Sequence, residues 1–545
     1  VGRAALLTGA ALLALAANGY AATPPSGGGV ACNAVDGKIT GGGSTLEDYL
    51  QQNVWGPDYA QDVCGPVANS GSAMDNSANT MVAYNPPESV NLGLTGSGFG
   101  ILDAECHVYA FAASDVPYDS AQYTELQAGG EAWTDTAPDD CFGLQQETRP
   151  LPLPFTPPGT VFPAGNDNVS PSQVMSFPVA GESVVVAANF TTGPPANTQL
   201  PGCPTKSLNL TGPQLSLLFG GDILNWDDPR LRSYGSGQNS GLATCNEPVT
   251  RVVADGDSGT TAILKDYLIH ADPDRYDAQS CPAPNGDALG APESWAYYAT
   301  NPNTRWPGGY VIDEEPDTPF IPNTEAGQFF LVATNGEDGN CSPIEAPILD
   351  EVQDPSELSG DATEFLVLQN TPGAVGYVDL ADYANRGENE YDVPISSINV
   401  LNGAGTSFQS ASSGPGANCS FVGATLPGAG LTAVVGLNAA DTWASDNATV
   451  NGTVDHANVT DMGTAYPICG FTWQLVCAGL DVPFSTTPGA GGAISWLTND
   501  QRRTLYSYVT YELSSVGQSR LSSHHYQALP VSWMSSLLGG FQVFF

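Results

Sequence analysis

Three short segments place small hydroxyl residues and glycines where a strand gives way to a helix: Gly43-Ser-Thr-Leu46, Gly96-Ser-Gly98 and Ser258-Gly-Thr-Thr261. Helix N-termini carry N–H groups with no partner in their own helix, and the positive end of the helix dipole. They therefore hold oxyanions without a formal cation. Hydroxyls add donors whose direction adjusts to the ligand. Three such ends, converging, make a dehydrated site for a tetrahedral anion. Asp115, in Ala113-Ser-Asp-Val-Pro117, ends a strand and supplies an acceptor. A buried carboxylate accepts a hydrogen bond from a protonated oxyanion and repels one lacking a proton. Phosphate and sulfate are then separated by the penalty of an unpaired buried acceptor. Such a site captures an anion and needs no chemistry on it.

Other candidates are weaker. Gly256-Asp-Ser-Gly259 spells the tetrapeptide found around a serine-protease nucleophile. A triad also needs a histidine base and an orienting carboxylate. The histidine before Ser258 is His107, in Glu-Cys-His-Val, and the Thr-Thr-Ala-Ile-Leu-Lys helix after the serine conflicts with a β-barrel. A hydrolase using Ser258 is thus the lesser alternative to a protein that is no enzyme. Asp255 and Asp257 read as turn formers bonding their own backbone, and Trp226 as core. His524-His525 lacks partners at metal-binding spacing, so neither metal nor cofactor is expected.

The elements that must position these residues alternate between strand and helix, the pattern of an α/β protein. Gly41 to Thr45 reads as a Gly-rich turn into a helix, with Ser44 or Thr45 as N-cap. Strands are expected at Val90–Thr95, Tyr109–Asp115, Phe177–Asn189 and Val249–Val253, the third β-branched and buried. Helices are expected at Leu208–Leu224, Thr260–Ile269 and Asp500–Val516. Pro-rich or Gly/Ser/Asn-rich stretches at 126–165, 270–325 and 403–460 read as long surface insertions.

The chain has 545 residues and a formal net charge of −43, from 14 Lys+Arg against 57 Asp+Glu. No basic surface exists to displace counterions, so nucleic acid is excluded as a default partner, and so is docking on anionic lipid. Residues 1–22 carry one cation before a short apolar run closed by small residues, a secretory signal-peptide pattern too short to span a membrane. Eleven cysteines without a CxxC pair suit up to five disulfides in an oxidising compartment, with pairing left open. Eight N-x-S/T sequons, at Asn168, Asn189, Asn209, Asn340, Asn418, Asn447, Asn451 and Asn458, favour an extracellular glycoprotein. The expected location is outside the cell, or the periplasm of a bacterium.

In these segments the chain resembles the phosphate-binding proteins of bacterial ABC importers, and more closely the secreted DING phosphate-binding proteins. The resemblance runs in family order through Ile39-Thr-Gly-Gly-Gly-Ser-Thr-Leu46, Gly93-Leu-Thr-Gly-Ser97, Ala112-Ala-Ser-Asp115 and Phe177-Pro-Val-Ala-Gly-Glu-Ser-Val-Val-Val186. It continues through Leu218-Phe-Gly-Gly-Asp-Ile-Leu-Asn-Trp226, Ser258-Gly-Thr-Thr261 and Gly373-Ala-Val-Gly-Tyr377. Tyr466-Pro-Ile-Cys-Gly-Phe-Thr472 and Ala528-Leu-Pro-Val-Ser-Trp533 complete it.

It implies a two-lobed class II periplasmic-binding-protein fold with long surface insertions. Lobe one is expected at 33–183 and 396–545, and lobe two at 184–395. It also implies a phosphate site in which Thr45 and the Leu46 amide bind from one helix end and Ser97 from another. Asp115 accepts the phosphate proton, and Ser258, Gly259 and Thr260 donate from the opposite lobe. Inorganic phosphate is the implied partner, with a transporter or an extracellular-matrix component as a macromolecular one.

One position departs from the family. An arginine usually stands four residues before the serine of the Ser-Gly-Thr motif, where this chain has Ala254. Arg251 lies on the opposite face of a regular strand, and Arg149 or Arg305 could substitute from an insertion. The alternative function is therefore an extracellular structural or adhesive glycoprotein that keeps the fold with weak or lost ligand binding.

Overall fold

The computed structural model describes residues 37–64, 81–86, 96–106, 109–116, 174–193, 196–205, 207–220, 222–232, 239–253, 258–272, 328–333, 344–349, 360–386, 395–411, 418–421, 463–477 and 499–544. Strand β1 (Ile39–Gly43) runs parallel to β2 (Val82–Tyr84) on one side and β3 (Phe111–Ser114) on the other. The triple glycine thus belongs to a buried strand rather than to a turn. The reason is steric: the rings of Tyr109 and Phe111 lie where side chains at Gly42 and Gly41 would be. Gly43 has φ of +118°, and a methyl there would overlap the Ala113 carbonyl. Only glycine meets both conditions.

β4 (Val174–Ala188) is 15 residues long and joins two half-sheets. Up to Ser183 it pairs antiparallel with β13 (Cys469–Cys477), and from Val184 with β9 (Ala374–Asp379). β13 also pairs with β3, and β6 (Thr250–Arg251) runs parallel to β9. The order is β2-β1-β3-β13-β4-β9-β6, with β10 (Ser396–Ser397) on the second half of β4. A smaller sheet pairs β5 (Asn209–Leu210) with β11 (Asn399–Leu401) and β11 with β12 (Phe408–Gln409). β7 (Gln328–Ala333) and β8 (Ile344–Leu349) form a separate antiparallel pair. The fold is α/β with two lobes. Ser396–Ser397 pairs with the second half of β4, and Asn399–Leu401 with Asn209–Leu210.

The helices are α1 (Gly56–Cys64), α2 (Ser97–Cys106), α3 (Gly212–Phe219), α4 (Pro229–Arg232), α5 (Gly259–Ala271), α6 (Gly360–Asn370), α7 (Leu380–Arg386), α8 (Asn499–Glu512), α9 (Ser515–Leu521) and α10 (Val531–Phe544). Two differ from expectation. The segment 208–224 is not one helix: Asn209–Leu210 is strand, and α3 begins only after Thr211. Thr211 and Gln214 form a reciprocal capping box with Pro213 in the first turn, a start signal that leucine spacing hides. The segment 500–516 is split into α8 and α9 because Ser514 caps a new helix, accepting from the Gly517 amide. The strand expected at Val90–Thr95 lies outside the described residues.

The core is continuous and rich in aromatic side chains, with Trp55, Trp226, Trp473, Tyr377 and Tyr508 fully buried. Trp226 is core as expected, its indole N–H donating to the Gly373 carbonyl at 2.8 Å. Among the described residues two disulfides, Cys203–Cys245 and Cys419–Cys469, join segments 42 and 50 residues apart. The remaining cysteines lie outside the described residues or have side chains outside them. Among the described residues no helix is long and apolar enough to cross a membrane.

Candidate functional site

Asp115 follows β3 and is 1 % exposed. The Ser44 hydroxyl lies 2.6 Å from each of its carboxylate oxygens, and the Ser97 hydroxyl donates to Oδ2 at 2.7 Å. The Asp115 amide returns a bond to Ser97 Oγ at 3.0 Å. Burial pushes the Asp115 carboxyl up to about 6, against the lowering effect of the Ser44, Ser97 and Thr472 hydroxyls. Among the described residues the groups acting on this carboxyl are neutral donors rather than cations.

Each hydroxyl is held by local structure. Ser44 caps the single 3₁₀ turn Thr45–Glu47, accepting from the Leu46 amide at 3.2 Å. The Tyr84 hydroxyl donates to the Ser44 carbonyl at 2.8 Å, and Asn85 clamps both the N–H and the C=O of Gly43. Ser97 opens α2, and Gly100 one turn later packs so closely on β3 that a methyl there would overlap the Ala113 carbonyl. Ser258 caps α5 by accepting from the Thr261 amide at 3.2 Å. The first residue of that helix, Gly259, sits directly over Asp115: a methyl there would overlap Asp115 Oδ2 and Ser97 Oγ. The Thr261 hydroxyl meets the Tyr377 hydroxyl at 2.5 Å and ties α5 to β9. The positive end of α5 therefore faces a buried carboxylate, the favourable polarity.

Of the residues singled out from sequence, Ser97, Asp115 and Gly259 are brought together. Ser258 and Thr260 flank Gly259, the first half-buried and the second buried. The Leu46 amide is directed at Ser44 Oγ, and Thr45 is half-buried beside it. Arg251 is buried and donates to the Phe219 carbonyl at 3.3 Å, at the C-terminal end of α3. Ala254, Asp255, Asp257, His107, Arg149 and Arg305 lie outside the described residues.

Sequence reading missed several participants. Ser44 was legible only as one of two N-cap choices. Thr472, Glu47 and Asn85 carried no local signal, because each meets the site through tertiary pairing. Thr472 arrives because β13 pairs Trp473 with Ser114, which brings the preceding residue alongside Asp115.

Phosphate-binding protein PstS 3 of Mycobacterium leprae (strain TN) is 26% identical over 266 residues, covering 48% of this chain and 50% of that protein. PstS 3 of Mycobacterium tuberculosis (strain H37Rv) is 24% identical over 235 residues, covering 43% and 48%. By sequence, the chain is similar to phosphate-binding proteins. It spans about half the length of the curated relatives it matches. No protein-family profile matches it. Among solved structures, a phosphate-binding protein from Stenotrophomonas maltophilia is 14% identical over 92% of this chain and 93% of its own, with a TM-score of 0.44. A human phosphate-binding apolipoprotein is 16% identical over the same shares, with a TM-score of 0.45.

Proposed function

We propose that the protein captures inorganic phosphate, or a closely related protonated tetrahedral oxyanion, between its two lobes. The observation that carries this reading is the meeting of two hydroxyls and the N-terminal end of α5 on one buried carboxylate. Inorganic phosphate near neutral pH still holds a proton for Asp115 to accept, whereas sulfate offers none. The neutral donors stabilise the remaining oxygens as a helix end and hydroxyls stabilise any oxyanion. The names of the sequence relatives support the same ligand, and those relatives are binding proteins rather than enzymes. Ser258 acts here as a helix cap, which suits binding and not nucleophilic attack.

Admission of an anion needs α5 to draw back from Asp115 and then close on the ligand, a hinge motion about β4. Thr45, the Leu46 amide, Ser97, Ser258, Gly259 and Thr260 are the donors, and Asp115 the acceptor. A location outside the cell membrane suits this role, with residues 1–22 as the export signal. Asp115→Asn is expected to weaken phosphate binding by about ten- to a hundredfold, since a charge-assisted hydrogen bond is replaced by a neutral one. Discrimination against sulfate is expected to shrink with it. Equal phosphate affinity in the two proteins overturns the assignment.

A second reading, a binding fold reused as an extracellular building block, is favoured by the same close approach. The carboxylate of Asp115 is itself the anion that α5 faces. Phosphate binding by the wild-type chain at micromolar concentration excludes it.

A further inference from the structure

Directly beneath Asp115 lies a buried polar cluster that anion capture as described does not use. Glu47, Gln51, Thr472, Gln474, Tyr508 and Glu512 are each at most 1 % exposed. The Thr472 hydroxyl bonds Glu47 Oε1. Gln51 Nε2 donates to Glu47 Oε2 at 2.8 Å and to Glu512 Oε1 at 3.0 Å, and Gln474 Nε2 donates to Glu512 Oε1 at 2.7 Å. The Tyr508 hydroxyl donates to Gln51 Oε1. No lysine or arginine among the described residues acts on either glutamate.

Thr472 stands between Glu47 and Asp115, and a hydroxyl has one proton. It can donate to one carboxyl at a time. With Glu47 ionised, Thr472 turns its proton to Glu47, and Asp115 loses a donor while gaining a like charge nearby. With Glu47 protonated, the carboxyl donates to Thr472 Oγ1 and the Thr472 proton is free for Asp115. The two carboxyls are therefore not independent. One of them is best ionised while the other is neutral.

We propose that Glu47 is a positioning residue for anion selection: in its neutral form it directs the Thr472 hydroxyl onto Asp115 and so keeps Asp115 the ionised acceptor for the ligand's proton. This rests on the phosphate-capture reading and adds a residue to it. The surroundings agree. Burial, followed by the charges of Glu512 and Asp115, holds the Glu47 carboxyl well above the usual carboxylate range, against the Thr472 and Gln51 bonds. Burial likewise pushes Glu512 up to about 8. The other titratable groups that feel Glu47 are Tyr84 on β2, Tyr508 on α8 and Tyr526 after α9, all kept neutral by burial; Asp48 adjoins it on its own turn. Asp115 is the least raised of the three carboxyls and the one served by two serine hydroxyls.

The test pairs two variants with two readouts. Glu47→Gln is a permanent neutral donor to Thr472, and Thr472→Val removes the relay. The first readout needs no ligand: carbon-13 NMR of the aspartate carboxyls follows the Asp115 titration in phosphate-free protein. Thr472→Val is expected to move that titration to higher pH, and Glu47→Gln to leave its acid limb in place. The second is phosphate affinity from pH 6 to pH 10. With the Glu47 titration followed in the same spectra, the wild type is expected to lose affinity by tenfold or more relative to Glu47→Gln over the pH range in which Glu47 ionises. The ligand's own titration is common to both proteins and cancels. Parallel affinity profiles, or an Asp115 titration unmoved in Thr472→Val, overturn the proposal. A wild-type chain that binds no phosphate overturns the capture reading instead, and the NMR titration still decides whether Glu47 and Asp115 are coupled.

Discussion

The α-carbon of Gly259 lies against the side chains of Asp115 and Ser97. Its missing side chain is what lets the positive end of α5 reach Asp115 and Ser97. Gly259→Ala places a methyl on top of both, and both neighbours are buried groups fixed by hydrogen bonds. The lobes must then stand apart by the width of that methyl. Phosphate affinity is expected to fall about tenfold or more, in the range that overpacking a tight contact costs. The melting temperature is expected to change little, because neither lobe's core is touched. Titration calorimetry and a thermal melt of the same preparation separate the two effects. Ser44 and Ser97 differ from Gly259 in reaching Asp115 from within lobe one, so their loss alters the acceptor and not the closure.

At the scale of elements, the end of β4 shows how a polar side chain can be structural. Asn189 is fully buried, and its side-chain N–H groups reach the carbonyls of Leu368, Gln369 and Thr371 while its Oδ1 accepts from the amide and hydroxyl of Thr191. The sequon it begins is thus inside the molecule, with the nitrogen that would carry a glycan committed. Asn189→Ala is expected to destabilise the protein by about 3 kcal/mol, from stranded carbonyls on α6 and its exit. Chemical denaturation measures this, and peptide mapping is expected to find Asn189 unmodified.

The helix α8 carries a second expectation. Glu512 has its folded-state pKa raised from 4.5 to about 8, so the folded protein binds a proton that the unfolded chain releases. Stability contributed by the neutral form is fully present below about 4.5 and is lost as pH rises through about 8. Glu512→Gln is expected to flatten the decline in melting temperature between about pH 5 and pH 8. An unchanged decline contradicts the assignment.

Legibility in the sequence tracks the range of the forces involved. Ser97, Asp115 and Gly259 sit in short motifs where a strand meets a helix, and local chemistry announces them. The long β-branched strand also stood out, as Val184, Val185 and Val186 are each at most 1 % exposed. The cluster around Glu47 was illegible because Gln51 and Glu512 stand 461 residues apart and meet only through packing of lobe one. The glycine run misled because a turn and a sterically crowded strand call for the same residue. The leucines of 208–224 misled because apolar spacing persists across a strand, a cap and a helix that each bury one side.

At the scale of the whole molecule, the two half-sheets share β4, and the site lies where α5 of one half meets β3 and α2 of the other. On the proposed capture of an anion, binding and closing are one event: the anion is held by donors that assemble only when the lobes come together. The net charge of −43 works against long-range attraction of anions, and salt screens that repulsion beyond roughly one Debye length. On that proposal selectivity comes from the contact geometry, with Asp115 as the group that tells a protonated oxyanion from an unprotonated one. The decisive measurement is a calorimetric titration of the phosphate-stripped chain at neutral pH with phosphate, with sulfate in a parallel cell. Saturable phosphate binding at micromolar concentration or tighter, with no sulfate heat, is the expected result. Absence of phosphate heat together with an unshifted melting temperature contradicts phosphate capture.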